Sequence, residues 1–230
     1  MKLTNNEIKA LYKFTQEHYV AYYDVQVELV DHLANDIEKI WEGSPSLSFE
    51  KARERAFKKF GVFGFLDIVE EKRKQVGKKY RRILWKFIEE WFKLPKIVWT
   101  IMIFLFFYSL TQFKISAYVF SFILFSIGII DIFLCFKLKR NSNKRFKKQG
   151  KKWMLEEMIF NVASFNGIFL SSNIVGIHTK LVEEVLSFNF SILISIIATV
   201  AMLYSYISLI LIPSKADKLL LEAYPEYGLI

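Results

Sequence analysis

The sequence predicts an all-α chain: a small cytosolic helical module followed by a four-helix transmembrane bundle. Three observations predict it. Residues 94–213 are built of long apolar runs, residues 1–93 read as an ordinary water-soluble sequence, and lysine and arginine gather in two blocks beside the runs. About 20 apolar residues in a helix cross the hydrocarbon core of a bilayer. The runs cover 97–113 (extended by Leu94), 115–136, 158–177 and 185–212. Backbone polar groups in lipid must be satisfied internally, so each run is read as a helix. The expected spans are 94–113, 115–136, 154–177 and 185–213, with a basic loop at 137–153 and a tail at 214–230.

The module is assigned to residues 1–75. Thr4 and Glu7 have the spacing of a capping box, which starts a helix running to about Glu17. A second helix, from about Tyr22 to Glu42, carries Leu29, Val30, Leu33, Ile37, Ile40 and Trp41 as one apolar stripe. Gly43 is its expected cap, and Pro45 stops continuation. Ser48 should cap a third helix whose apolar face is Phe49, Ala52, Ala56, Phe57 and Phe60, ended by Gly61. Leu33, Ile37 and Phe57 are expected to share one core. A fourth helix begins near Gly64, with Gly77 as a weak point. Its continuation, 76–93, is a basic juxtamembrane segment. Trp85, Ile88, Trp91 and Phe92 suit the water–lipid boundary, and Leu94-Pro95 marks a bend before the first span.

Charge sets the expected orientation. The net charge is +9, concentrated in Lys72–Lys86 and Lys137–Lys152, whereas the other two connections are nearly free of cations. Positive segments stay in the cytoplasm, so the module, the basic loop and both termini are expected inside. Cations that abut spans point to anionic lipid headgroups rather than to nucleic acid. The N-terminus lacks the apolar core of a signal peptide, so the first span is expected to act as the uncleaved insertion signal. The single cysteine, Cys135, has no intrachain disulfide partner, and His18, His32 and His178 are scattered, so no metal site or cofactor is expected.

Glu28, Leu29, Asp31, His32 and Leu33, then Gly43, Leu47, Ser48, Glu50, Ala52, Phe60 and Gly61, form a pattern. It resembles the HAAS-type, or permease-prefix, cytoplasmic domain that precedes transmembrane helices in bacterial membrane proteins. The resemblance covers about residues 15–75. It implies regulation or protein contact rather than chemistry. Asp31 and His32 point about 100° apart on a helix and cannot converge on one ligand. They are assigned structural roles, with His32 half-buried and Asp31 making local hydrogen bonds. Glu28 and His32 are read as an i,i+4 pair supporting the helix.

Ionisable residues within spans are the default functional candidates. Asp131 lies in the second run, and Glu157 opens the third. Glu157, Asn161, Ser164, Ile168 and Ser171 form a stripe along the third run, with Asn166 and Asn173 off it. The candidate intramembrane site is therefore Asp131, Glu157, Asn161 and Ser164: either a polar path between spans two and three or interhelical hydrogen bonding. Lys137 and Lys152 are close enough in sequence to neutralise the two carboxylates. Glu28 and Arg53 are the candidate partner surface. The reading is a non-enzymatic regulatory or accessory membrane protein whose module binds a protein partner, with oligomeric state open. The alternative is a small transporter or permease-like subunit using the polar stripe of the third span. A lipid-active enzyme is a third class, and no motif supports it.

Overall fold

The computed structural model describes residues 2–112, 114–161 and 187–229. Most of the third expected span lies outside the described residues, and with it Ser164, Asn166, Ile168, Ser171 and Asn173. Among the described residues every regular element is helical. In chain order these are α1 (Asn5–Glu17), α2 (Tyr23–Gly43), α3 (Phe49–Phe57), α4 (Leu66–Trp91), α5 (Lys96–Leu110), α6 (Lys114–Gln149), α7 (Met154–Phe160), α8 (Phe188–Ser214) and α9 (Ala216–Ala223). The chain divides into two compact units, one within residues 1–79 and 146–157, the other within 80–145 and 158–229.

In the first unit, α1 begins with the expected capping box. Thr4 Oγ1 accepts from the Glu7 N–H at 3.4 Å, and Glu7 Oε2 accepts from the Thr4 N–H at 2.7 Å. Such caps contribute about 1 kcal/mol. The apolar stripe of α2 is buried as read at Leu29, Val30, Leu33, Ile37 and Trp41, whereas Ile40 is only partly buried. Helix α2 packs on α1 and on α3. Helix α3 stops at Phe57, one 3-10 turn (Lys58–Phe60) earlier than expected. Ser48 has the extended backbone of an N-cap but makes no side-chain cap bond. Phe57 is only partly buried and belongs to an aromatic cluster, its ring centroid 5.2 Å from Phe14 and 4.9 Å from Phe65. Gly61 (φ 76°) and Gly64 (φ 56°) turn the chain from there into α4. A Cβ on Gly64 would lie 3.0 Å from the Phe57 ring, so a side chain there would have to shift that ring as well as adopt a positive φ. Helix α4 runs unbroken through Gly77.

In the second unit, the chain bends by 82° between α4 and α5, at the expected proline. Lys96 Nζ donates to Glu90 Oε2 across the bend at 2.8 Å, and holds the Glu90 carboxyl below the usual range. Helix α5 packs on α8. Phe107, Phe120, Leu124, Ile194 and Ala198 form a shared core of α5, α6 and α8. Other faces carry exposed apolar side chains such as Trp99, Met102, Phe122, Phe133, Leu193 and Val200. In water such surface is costly, while lipid tails accept it. Helices α6 and α8 are each long and apolar enough to cross a membrane, and the bent pair α4–α5 makes a third if counted as one span.

The basic stretch 137–153 is not the loop expected from sequence. Helix α6 continues to Gln149, because lysine and arginine are good helix formers and the apolar run ends without a breaker. Gly150 (φ 67°) ends it, its N–H bonded to the Phe146 carbonyl at 2.8 Å. Near its C-terminus α8 widens into a π turn, Ile207–Leu211, with the Ile212 N–H reaching the Ile207 carbonyl. Pro213 follows and supplies no N–H to the helix ladder, which fits a change of register at this point.

Candidate functional site

Asp131 sits on α6 among Ile, Phe and Leu, and only 3% of its surface is exposed. A carboxylate there needs a donor. Ser205 of α8 supplies it, donating its hydroxyl to Asp131 Oδ2 at 2.6 Å. The sequence reading linked Asp131 to the third run and overlooked Ser205. A signal was present. Ser191, Ser195, Ala198, Thr199, Ser205 and Ser208 recur at helical spacing in the fourth run, and all are buried. Small residues at such spacing let helices approach closely. Three of the hydroxyls turn back on their own helix: Ser195 to the Ser191 carbonyl, Thr199 to Ser195 and Ser208 to Tyr204, at 2.7–2.8 Å. Ser205 reaches across.

Glu157 belongs to the first unit, whereas Asp131 belongs to the second. Lys152 Nζ lies 2.8 Å from Glu157 Oε2, the neutralising pair that the sequence suggested. Tyr22, buried at the start of α2, hydrogen-bonds to the same carboxylate. Two further bonds join these segments. The Tyr23 N–H donates to the Lys152 carbonyl at 2.7 Å, and Asp24 Oδ1 accepts the Met154 N–H at 3.2 Å. Glu157 is thus part of the join between the start of α2 and the segment that runs from Lys152 into α7. Asn161 follows α7 and is exposed.

Burial and then the hydrogen bond to Glu157 push the Tyr22 hydroxyl up to about 12 from its usual 10.0. The folded state holds this proton more tightly than the unfolded chain. The contribution is therefore complete below about pH 10 and is lost as pH rises towards about 12. The stability difference between the native chain and Tyr22→Phe should shrink across that window. Melting temperatures measured from neutral to alkaline pH check this, and a constant difference would contradict the bond.

The two candidate partner residues are engaged within the module. Lys72 Nζ donates to Glu28 Oε2 at 2.5 Å. The Arg53 guanidinium lies 4.4 Å from the Phe14 ring centroid and 5.8 Å from that of Phe49. Asp31 and His32 are both exposed, which corrects the half-buried reading of His32: the position faces away from the stripe of Leu29, Leu33 and Ile37. No group of three His, Cys, Asp or Glu placed to hold a metal occurs among the described residues. Comparison with family models, curated proteins and solved structures finds no match to this chain.

Proposed function

We propose that this chain is a regulatory or accessory membrane protein whose helical module, similar to the HAAS-type domain, binds a protein partner in the cytoplasm. One observation carries the reading. The turn between α3 and α4 holds Val62 98% exposed and Phe63 67% exposed, between glycines at positive φ. Two apolar side chains presented on a defined turn are a contact offered outward, since neither adds to the module's own core. The four-span arrangement, with the basic segments and both termini inside a bacterial inner membrane, belongs to the same proposal and rests on the positive-inside rule.

Labelling of single cysteines tests the topology, with Cys135 replaced. Positions 6 and 143 should be shielded in intact cells and position 180 reactive from outside. Outside labelling at 143 would end the arrangement.

Val62→Ser with Phe63→Ser tests the partner surface better than changes at Glu28 or Arg53, which would also break contacts within the module. The pair should release a co-purifying protein in mild detergent while leaving melting unchanged. The buried Asp131–Ser205 contact is the observation that favours the transporter alternative. If Asp131→Asn and Glu157→Gln abolish function and the Val62/Phe63 pair does not, the transporter reading replaces the regulatory one.

A further inference from the structure

Helix α1 ends in a Schellman motif. The Val20 N–H reaches the Thr15 carbonyl at 3.1 Å, and the Tyr19 N–H reaches the Gln16 carbonyl at 3.0 Å. The motif puts its turning residue in the left-handed region, where glycine is the usual occupant. Here the occupant is Tyr19, at φ 64°, the one non-glycine residue with positive φ among the described residues. Its side chain is 88% exposed, so burial does not offset the strain. A bulky residue held strained and exposed points to use rather than to packing.

Tyr19 lines an open cleft of about 710 Å³, a size typical of small-molecule sites. Every lining residue belongs to the first unit. Tyr12 and Tyr23 form a near-parallel pair in the wall, with centroids 6.0 Å apart and planes 12° apart. Phe146 adds a further ring. The lining contains two lysines and no carboxylate. Lys152 is already paired with Glu157. Among the described residues Lys151 is in no ion pair; its ammonium lies 4.0 Å from the Tyr23 ring centroid, held by the ring face. A cation without a counter-charge, beside phenols, is a receptor for an anion. The rings suit an organic body. Lysine is an established phosphate partner, acting as a point charge, and the cleft has no arginine that would fork onto a carboxylate or a phosphate.

We infer that this cleft binds a small phosphate-bearing molecule, with the phosphate on Lys151 and the organic body against the tyrosine faces. The ligand has two potential sources, a soluble phosphate ester or the headgroup of an anionic lipid. The inference goes beyond the partner reading and does not depend on it, because neither Val62 nor Phe63 lines the cleft and the measurement is a different one.

The test is calorimetric titration of the full chain in maltoside detergent, which carries no phosphate, with phenyl phosphate as probe. Saturable binding is expected, at least tenfold weaker in Lys151→Met and in Tyr19→Gly, with benzoate binding much more weakly. Tyr19→Gly should also raise the melting temperature, because glycine relieves the left-handed strain, so lost binding cannot be put down to unfolding. Phosphatidylglycerol added to the micelles separates the sources. Competition through Lys151 identifies a lipid headgroup, and its absence identifies a soluble ester. The inference is overturned by no saturable heat from phenyl phosphate or phosphatidylglycerol, by equal binding of benzoate, or by binding unchanged in both variants. A lower melting temperature for Tyr19→Gly would overturn the reading of Tyr19.

Discussion

Leu33→Ala is expected to destabilise the module by about 2–5 kcal/mol, the range of buried leucine truncations. Leu33 is 0% exposed and sits between Leu29 and Ile37 on the stripe that α2 turns inward. The loss has two parts, the transfer energy of the removed carbons and the space they leave. Helix α3 offers little to fill that space. It contributes Ala52 and Ala56, both fully buried, and an alanine cannot extend. Leu33→Met keeps the volume and should cost less than about 1.5 kcal/mol. Hydrogen exchange of the α1–α3 amides in the full chain measures the difference. Equal protection in the native chain and in Leu33→Ala would contradict the core assignment.

Ser205→Ala is expected to cost about 1–3 kcal/mol, because it removes the hydroxyl on which a buried carboxylate depends. The hydroxyl donates to Asp131 Oδ2 at 2.6 Å from α8 to α6, at a carboxylate that is only 3% exposed. Asp131→Asn retains an acceptor oxygen and should be milder. A double-mutant cycle of Asp131→Ala with Ser205→Ala isolates the pair. A coupling of about 0.6–2 kcal/mol is expected for such bonds between membrane helices. Strict additivity would show that each residue acts alone, and that the contact does not join the two helices.

Some of this molecule is legible along the chain. Thr4 and Glu7 announce the first helix because a capping box is a four-residue device. The stripe of Leu29, Leu33 and Ile37 gives the buried face of α2, because helical spacing puts those positions on one side. Pro95 marks the bend, because its ring restricts the residue before it. The apolar runs of α6 and α8 declare themselves by length. The pairing of Glu157 with Lys152 was also within reach, since the two stand five residues apart.

Other features are invisible until the chain is folded. Asp131 and Ser205 are 74 residues apart, and nothing local to either names the other. Glu28 and Arg53 look like free surface charges on a helical wheel, yet Lys72 and the Phe14 ring already engage them. The strain at Tyr19 gives no sign in the sequence, because a Schellman turn usually shows itself by glycine and here there is none. The aromatic cleft joins Tyr12 and Tyr23 to Phe146 and Lys151, more than 100 positions away. Sequence by itself determined the helices and the apolar faces, because capping, periodicity and run length act over one or a few turns. Only the tertiary structure decided which polar groups meet and where a cation is left without a counter-charge, because those depend on distances in space between residues remote along the chain.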